Sequence, residues 1–462
     1  MEIKFGTSGW RAVIADDFTF ENVRRVSGAI FRYLKNDCRE SGPILIGFDT
    51  RFMGEKFAQV AADLAIEHGF DVLLAHEPIP TPVLSFSILS KKAIGAINFT
   101  ASHNPPEYQG IKFSTSNGAP ALPEVTKSIE SYIRQAKPLE QEGKGSINFF
   151  DPKDAYFTDL KNKIDFSVIS KANGRYAYEA LWGTGRGYLD RILESVGCEV
   201  TTLHNWRDVT FGGLSPEPGE KQLTELTALV KEKKLTLGLA TDGDADRFGV
   251  VDSDGSLIEP NKLIALLADY LVTSRGWRQG LARSVATTHL VDRVAALHGL
   301  ELFETPVGFK YIGELIMGDQ IVIGGEESAG LSIRGHLPEK DGILACLLAA
   351  EAVAARGASI SEQVDELFKK VGRLESKRIG LRLDSDLMLK LKNRLKEDPK
   401  TIGKHLVKSI NRLDGVKFLF EEDAWLLIRP SGTEPVVRIY AEAKDSEQVE
   451  ELIESGKKYL LQ

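Results

Sequence analysis

The stretch Ile44-Leu-Ile-Gly-Phe-Asp-Thr-Arg51 and the residues that follow it decide the fold of this chain. The apolar run ends in a polar loop, an amphipathic segment covers residues 57–68, Gly69 ends that segment, and a second apolar run covers residues 71–75. A strand, a helix and a strand joined by short connections form a crossover unit. The stretch therefore predicts two parallel strands covered by a helix.

The same pattern occurs twice more along the chain. Repetition predicts three related α/β domains with mixed, mainly parallel sheets, and ligand loops in such sheets follow the carboxyl ends of strands. The second copy starts at Arg175, passes through Trp182-Gly-Thr-Gly-Arg-Gly187 and a helix ending at Val196, and ends with a strand at 199–203. The third copy has a β run at Ser284-Val-Ala-Thr-Thr288, a helix at 291–298 and a strand at 301–303.

The remaining sequence sets the boundaries of these units. Residues 137–145 are polar and predict a connection, and residues 248–251 and 256–258 predict a hairpin around Asp252-Ser-Asp-Gly255. After Gly372 the pattern changes to β runs and a closing helix, which predicts a smaller α+β fourth domain. The predicted domains are residues 1–149, 150–252, 253–371 and 372–462.

Composition excludes several classes of function. The 462 residues carry a net charge of -8, with 42% hydrophobic and 27% charged residues, as in a globular protein of about three to four domains. The net negative charge argues against a surface that binds nucleic acid. The longest apolar run, 343–355, contains Glu351 and is shorter than the ~20 residues that cross a bilayer. Three scattered cysteines match no disulfide or metal pattern, so we expect a cytoplasmic protein.

The segment Thr100-Ala-Ser-His-Asn-Pro-Pro106 places one serine on a polar loop after the apolar run 93–99. An isolated serine of this kind is usually a turn residue. A serine that relays a phosphoryl group needs a cation and a proton carrier nearby, and His103 and Lys112 are close in sequence. In extended chain, however, His103 would point away from Ser102, and Lys112 could be a strand lysine whose stem packs on apolar surface.

The segment Asp242-Gly-Asp-Ala-Asp-Arg247 carries three carboxylates at alternate positions, which lie on one side of extended backbone. They could be solvated turn residues. An EF-hand loop is excluded because Arg247 and Ser253 stand where that loop needs a glycine and a bidentate acid. Clustered carboxylates repel one another, and a hard dication removes the repulsion, so the cluster predicts a Mg²⁺ site.

Three glycine-containing segments could bind anions or hydroxyl groups. Arg429-Pro-Ser-Gly-Thr-Glu-Pro435 offers backbone N–H groups and hydroxyls, although a plain hairpin is the alternative. Gly183-Thr-Gly-Arg-Gly187 lacks the third glycine of a dinucleotide loop. Gly324-Gly-Glu-Glu-Ser-Ala-Gly330 places acidic and hydroxyl groups on a turn suited to sugar hydroxyls.

Taken in order, five motifs resemble the signature set of the α-D-phosphohexomutases: Gly6-Thr-Ser-Gly-Trp-Arg11, Thr100–Pro106, Asp242–Arg247, Gly325–Gly330 and Arg429–Pro435. The resemblance spans almost the whole chain. It implies three related α/β domains and a smaller C-terminal domain around a central cleft, which agrees with the repeats.

The resemblance also implies roles for individual residues. Ser102 would be the phosphoserine, and its phosphate would bind Mg²⁺ together with Asp242, Asp244 and Asp246, supported by Arg247. Arg11, His103 and Lys112 would handle charge and protons. Substrate contacts would come from the following residues: Thr305, Gly308 and Lys310; Glu326 and Ser328 for sugar hydroxyls; Arg429, Ser431, Gly432, Thr433 and Arg438 for the phosphate that does not react.

The implied activity interconverts hexose 1-phosphate and hexose 6-phosphate through a bound hexose 1,6-bisphosphate, in a monomer or homodimer whose partners are sugar phosphates. The segments Thr305–Lys310, Gly325–Gly330 and Glu339–Gly342 are similar to those of phosphoglucomutases. Members that favour mannose or accept both epimers often carry Gly-His where this chain has Ala329-Gly330, so we expect glucose. Mannose and glucosamine share its 3- and 4-hydroxyls and stay open. A metal-dependent phosphatase using Ser102 stays open as well, whereas a binding protein without catalysis is disfavoured because the serine, the three aspartates and the phosphate loop are all present.

Overall fold

The computed structural model describes residues 3–6, 9–38, 40–135, 143, 145–431 and 436–461. It contains three α/β units, each with a mixed sheet, and a C-terminal unit with an antiparallel sheet. The predicted fold class is therefore confirmed.

The first unit is built on a six-stranded sheet in the order β1-β5-β4-β2-β3-β6. Its central strands are parallel, while the fifth strand runs antiparallel to its two neighbours. The predicted crossover lies here, with a helix that begins slightly earlier than residue 57. The elements are β1 (Trp10–Val13), α1 (Phe20–Asn36), β2 (Ile44–Phe48), α2 (Gly54–Glu67), β3 (Val72–Ala75), α3 (Thr81–Lys91), β4 (Gly95–Phe99), β5 (Tyr108–Thr115), α4 (Pro123–Gln135) and β6 (Ile147–Phe150).

The second unit has a four-stranded sheet in the order β10-β9-β7-β8. The predicted hairpin around Asp252–Gly255 is present but short: Leu257 makes one antiparallel bridge to Val251, and Ile258 N–H donates to the Val250 carbonyl at 2.8 Å. Strand 248–251 also pairs antiparallel with 237–241, so the acidic segment 242–247 is a hairpin loop as well. The elements are α5 (Lys153–Leu160), α6 (Phe166–Ala172), β7 (Arg175–Glu179), α7 (Leu189–Ser195), β8 (Glu199–Leu203), α8 (Thr224–Lys233), β9 (Leu237–Thr241) and β10 (Phe248–Val251).

The third unit has a sheet in the order β12-β11-β13-β14. The predicted β run 284–288 was wrong, because the strand ends at Ser284. Hydroxyl groups then satisfy the loop backbone: Ala286 N–H donates to Ser284 Oγ at 3.3 Å and Leu290 N–H to Thr288 Oγ1 at 2.9 Å, which competes with strand pairing. The elements are α9 (Pro260–Arg275), β11 (Gly280–Ser284), α10 (Leu290–His298), β12 (Leu302–Thr305), α11 (Phe309–Met317), β13 (Ile321–Glu326), β14 (Gly330–Ile333), α12 (Gly342–Arg356) and α13 (Ile360–Val371).

The fourth unit has an antiparallel sheet in the order β15-β21-β20-β19-β18 and a two-stranded ribbon, β16-β17. The predicted β runs and closing helix are present. Strands β18 and β19 and helix α14 were not anticipated. The elements are β15 (Glu375–Arg382), α14 (Ser385–Arg394), β16 (Thr401–Ile402), β17 (His405–Leu406), β18 (Ser409–Asn411), β19 (Val416–Leu419), β20 (Trp425–Pro430), β21 (Val436–Ala443) and α15 (Ser446–Leu461).

The three α/β units share one strand plan. In each, a central strand has parallel neighbours on both sides, and one of these neighbours turns back into an antiparallel strand: β4 into β5, β9 into β10 and β13 into β14. These three turns carry the serine, the three aspartates and the predicted sugar-reading residues. The fold therefore brings the candidate groups to equivalent edges of three sheets.

The apolar core shows how the units are joined. One continuous cluster of buried side chains runs through the first three units, whereas the fourth unit has a core of its own. A small patch joins the third and fourth units, with Val285 and Ala286 against Trp425 and Leu427. The fourth unit is thus attached mainly through the third. In the described part of the chain no single helix is long and apolar enough to span a membrane. Helices α12 and α13 together have sufficient length and apolar content, but the chain bends by 78° between them.

Candidate active site

Ser102 lies in the turn between β4 and β5 and contacts the acidic loop of the second unit. Its side chain is buried, and its Oγ donates a hydrogen bond to Asp242 Oδ2 at 2.9 Å. The backbone has a φ of 51°, a left-handed conformation uncommon for a residue other than glycine. Ser102 N–H donates to Thr100 Oγ1 at 2.9 Å, which helps to hold this conformation.

The left-handed backbone corrects one expectation about His103. In extended chain the two side chains would diverge, but here His103 Nδ1 lies 3.3 Å from Ser102 Oγ. Burial, followed by the nearby Arg247 and Arg11 charges, holds the pKa of His103 well below its usual value. The imidazole is therefore neutral near pH 7 and can exchange a proton with a neighbouring hydroxyl.

The acidic triplet lies in the turn between β9 and β10. The backbone is not extended as expected, because Ala245 has a φ of 58° and turns the chain. The carboxylates converge nonetheless: one oxygen from each of Asp242, Asp244 and Asp246 lies within 4.8 Å of the other two. All three side chains are buried.

Two observations fit this triplet to a divalent cation. Asp244 Oδ1 and Asp246 Oδ1 are buried and have no hydrogen-bond partner in the described part of the chain. Burial, and then repulsion from Asp244 and Asp246, raises the pKa of Asp242 well above its usual value. A hard cation supplies a partner for free carboxylate oxygens and relieves this repulsion.

Two lysines balance part of the negative charge. Lys112 Nζ lies 2.6 Å from Asp244 Oδ2 and 2.9 Å from Asp246 Oδ2, and Lys340 Nζ lies 3.1 Å from Asp246 Oδ2. Burial opposes both ammonium charges, but the carboxylates outweigh it and raise the pKa of each lysine. Lys112 is thus part of the charged cluster and not a strand lysine with a solvated head.

Sequence reasoning gave no role to Lys340 or Thr81. Thr81 Oγ1 donates to Asp244 Oδ2 at 2.5 Å and fixes that carboxylate. The stem of Lys340 crosses Gly330, where an added Cβ would lie 2.1 Å from Lys340 Cδ. A side chain at position 330 would therefore displace the Lys340 stem from the path by which it reaches Asp246, a link that neither local spacing nor periodicity could have indicated.

Arg11 and Arg247, the two arginines expected near the phosphoserine and the metal site, lie beside the serine loop and the acidic loop. Arg11 Nη1 donates to Asn104 Oδ1 at 2.7 Å, two residues from Ser102. Arg247 N–H donates to Asp242 Oδ1 at 3.0 Å, and its guanidinium pairs with Glu217 at 2.5 Å. Both therefore bring positive charge close to Ser102.

The third unit places two segments near this cluster. Gly308 N–H donates to Glu326 Oε1 at 2.7 Å, so the loop after β12 is tied to the turn after β13. Burial and the neighbouring Glu327 carboxylate raise the pKa of Glu326 to about 7. Ser328 is half-buried. Thr305 is buried, and its Oγ1 donates to the Pro306 carbonyl at 3.0 Å.

Lys310 faces a narrow cavity between the first and third units. The cavity is about 30 Å³ in volume, and Lys112, Lys310 and Lys340 all line it. Burial lowers the pKa of Lys310. Lys112 and Lys340 already pair with the aspartates, and Glu339 also lines the cavity, so Lys310 is the lysine at this cavity for which the structure gives no carboxylate partner among the described residues.

The fourth unit contributes a second cationic loop. Arg429 and Arg438 lie opposite each other on β20 and β21. Arg429 Nε lies 3.0 Å from Asp414 Oδ1, and Asp414 Oδ2 accepts from Val307 N–H at 3.0 Å, which connects this loop to the segment that carries Gly308. Ser431 N–H donates to the Val436 carbonyl at 2.8 Å. Gly432 and Thr433 lie outside the described residues.

Comparison with protein families covers all four units. The chain matches the models of phosphoglucomutase/phosphomannomutase α/β/α domain I at residues 2–140, domain II at 154–255, domain III at 259–371 and the C-terminal domain at 388–455.

Individual relatives cover nearly the full chain. A phosphoglucomutase/phosphomannomutase of Thermococcus kodakarensis is 30% identical over 99% of this chain and 98% of its own length. A phosphoglucosamine mutase of Carboxydothermus hydrogenoformans is 30% identical over 97% of each chain. A crystal structure from Thermus thermophilus, described as a candidate phosphomannomutase, has 36% identity, a TM-score of 0.88 and full coverage of both chains.

The four family domains in order, these similarities over the whole length and the shared fold lead to one conclusion. The chain belongs to the phosphoglucomutase/phosphomannomutase family and is an intramolecular phosphotransferase of the phosphohexomutase type.

Proposed function

We propose that this enzyme interconverts glucose 1-phosphate and glucose 6-phosphate through a phosphoserine at Ser102 and a bound glucose 1,6-bisphosphate. The observation that carries the proposal is the 2.9 Å hydrogen bond from Ser102 Oγ to Asp242 Oδ2 within the converging acidic triplet. A phosphoryl group on this oxygen would lie beside the free carboxylate oxygens and the two lysines.

Asp242, Asp244 and Asp246 would hold Mg²⁺ together with an oxygen of the Ser102 phosphate. When bound, the ion would neutralise charge on the transferring phosphoryl group as a Lewis acid. Thr81 donates to Asp244, and Lys112 donates to both Asp244 and Asp246, which holds these two carboxylates in place. Lys340, which approaches Asp246 from the third unit, adds positive charge to the same cluster.

The reaction requires two phosphoryl transfers, one from Ser102 to the sugar and one from the sugar back to Ser102. The Oγ–P bond of phosphorylated Ser102 breaks as phosphorus bonds to the 6-hydroxyl of the 1-phosphate. That hydroxyl loses its proton to a base, and Ser102 Oγ gains one. The bisphosphate then turns round, and Ser102 Oγ gives its proton to the base as it bonds to the phosphorus of the 1-phosphoryl group. The bond from that phosphorus to the C1 oxygen breaks, and the C1 oxygen takes up a proton, leaving the 6-phosphate. His103, neutral and 3.3 Å from Oγ, is suited to carry the proton, while Arg11 and Lys112 supply charge.

Retaining the intermediate requires a site that accepts two opposite poses. Glu326 and Ser328 would bind the 3- and 4-hydroxyls, which roughly exchange places when the sugar turns round. Thr305, Gly308 and Lys310 would complete this side of the site. Arg247 and the loop of Arg429, Ser431, Gly432, Thr433 and Arg438 would hold the phosphate that is not reacting. Closure would exclude water and limit hydrolysis.

The choice of glucose is supported by the environment of Gly330. The stem of Lys340 passes over Gly330, where an added Cβ would lie 2.1 Å from Lys340 Cδ, so the histidine often found there in members that favour mannose or accept both epimers would require that stem to move. Mannose and glucosamine phosphates are the alternative substrates. A phosphatase that uses the same serine is the alternative reaction.

We also propose a cytoplasmic location and a monomer or homodimer that binds sugar phosphates, neither nucleic acid nor membrane. Cys38, Cys198 and Cys346 are free thiols, which supports a reducing compartment.

Magnesium binding provides a first test. We expect calorimetric titration to show one Mg²⁺ per chain, and Asp244→Asn to weaken binding by about 10-fold or more because a charged ligand is lost. Asp254→Asn, at an exposed aspartate in the next turn, is the control. The metal assignment fails if the Asp244 variant binds Mg²⁺ as tightly as the wild type.

Replacing the serine tests covalent transfer. Ser102→Ala should lose on the order of 10³-fold or more of mutase turnover, because no side chain can carry the phosphoryl group. Intact-mass spectrometry after incubation with the bisphosphate should show phosphate on the wild type and none on the variant. Ser116→Ala, at a half-buried serine bonded to Glu40, is the control. Full turnover in the Ser102 variant would contradict the proposal.

Substrate choice is tested by comparing glucose, mannose and glucosamine 1-phosphates in the presence of Mg²⁺ and a trace of the matching bisphosphate. We expect kcat/KM to be highest for glucose, by about 10-fold over its epimer. Release of inorganic phosphate is measured in the same reactions. A higher value for another sugar would reassign the substrate, and phosphate release faster than isomer formation would identify a phosphatase.

The raised pKa of Glu326 predicts a pH dependence of sugar binding. As the pH falls through about 7, the carboxylate gains a proton and becomes a weaker acceptor, so KM for glucose 1-phosphate should rise. Glu326→Gln should raise KM at pH 8 and remove this part of the dependence. The phosphate of the substrate titrates identically with both enzymes, so the difference between the two profiles reports Glu326. Parallel profiles would exclude Glu326 as the titrating group.

A further inference from the structure

We infer that Arg51 is a positioning residue that fixes the Ser102 loop from the side opposite to the reacting oxygen; the inference rests on the proposed role of Ser102. Arg51 is fully buried. Its Nη2 donates to the carbonyls of Ser102 and Asn104, both at 2.6 Å, and its Nη1 donates to those of Pro105 at 2.7 Å and Tyr108 at 3.0 Å.

These contacts use both terminal nitrogens of the guanidinium. Their four N–H groups bond to four carbonyls of one turn, while Nε is buried and faces Asp49 Oδ2 at 3.2 Å, as an ion pair without hydrogen-bond geometry. The terminal N–H groups are taken by backbone carbonyls and Nε faces a carboxylate, so Arg51 acts on the loop and not on the reacting atoms. Lysine cannot replace it, because an ammonium has three donors and lacks the planar fork.

The backbone conformation of Ser102 that Arg51 supports is energetically unfavourable for a residue other than glycine. Ser102 has a left-handed backbone, and its carbonyl accepts from Arg51 while its Oγ points to Asp242. A left-handed residue persists where its surroundings over-determine it. Without the guanidinium, four converging carbonyls would lose their donors, and the turn would relax away from this conformation.

Arg51 is in turn held by the unit that carries the acidic triplet. The ring of Phe211 lies 5.0 Å from the guanidinium carbon, in a cation–π contact. Arg207 donates to the carbonyls of Thr50 and Arg51, both at 3.1 Å. Phe211 and Arg207 follow β8 in the second unit. The position of Ser102 relative to Asp242 is therefore fixed by contacts on both sides of the boundary between the two units.

The test is Arg51→Lys in the full-length enzyme, with Arg275→Lys as the matched control. Arg275 also combines an ion pair, to Glu351 at 2.6 Å, with a backbone carbonyl, that of Lys163 at 3.2 Å, but lies away from the serine loop. We expect Arg51→Lys to lower kcat by about 10- to 100-fold with KM for glucose 1-phosphate changed by less than about 3-fold, since a displacement of about 1 Å has effects of this size.

A second readout separates positioning from a general loss of structure. Misplaced phosphoserine should lose its phosphate to water more often, so the ratio of phosphate release to isomer formation should rise in Arg51→Lys and stay constant in Arg275→Lys. Loss of folded protein would lower both rates together and leave the ratio unchanged.

Arg207→Gln keeps the inference testable if Arg51→Lys does not fold, because the Arg207 side chain is 33% exposed. It should lower kcat and raise the same ratio to a smaller extent. A value of kcat and a ratio within about 2-fold of wild type in every folded variant would overturn the inference. An inactive wild type would instead refute the proposed function.

Discussion

The site depends on one contact between distant parts of the chain, the hydrogen bond from Ser102 Oγ to Asp242 Oδ2, whose residues are 140 positions apart. Ser102 and Asp242 lie on equivalent turns of two sheets, and the third sheet presents Glu326 and Ser328 from its own equivalent turn. Repetition of one strand plan thus supplies three loops that can meet. The continuous apolar core of the first three units keeps them together.

Charge explains why these loops meet as they do. Three buried carboxylates within 4.8 Å repel one another, and desolvation adds to the cost. Lys112 from the first unit and Lys340 from the third offset part of this charge, leaving two free acceptor oxygens for a cation. The site therefore requires all three units, while the fourth connects through Asp414, which contacts both Arg429 and Val307.

The sequence predicted the strand–helix–strand repeats and the loops that follow them, because apolar periodicity and glycine positions are local signals. Residue types alone also predicted that the serine loop and the acidic loop would converge, and the structure brings them into contact. The sequence could not predict the left-handed Ser102, which depends on donors from Arg51, nor Lys340, which reaches Asp246 across Gly330. The strand at 284–288 was misplaced because hydroxyl–backbone bonds at Ser284 and Thr288 outweigh β-propensity. The Ser102 conformation and the reach of Lys340 arise from tertiary contacts that no sequence window contains, whereas the bonds at Ser284 and Thr288 are local and compete with a strand signal of similar strength.

The most direct measurement is anomalous scattering from a crystal of the phosphorylated enzyme grown with Mn²⁺ in place of Mg²⁺. The account predicts one strong peak within coordination distance, about 2 Å, of an oxygen on each of Asp242, Asp244 and Asp246 and of a phosphate oxygen on Ser102. A manganese peak elsewhere, or phosphate on a residue other than Ser102, would contradict it.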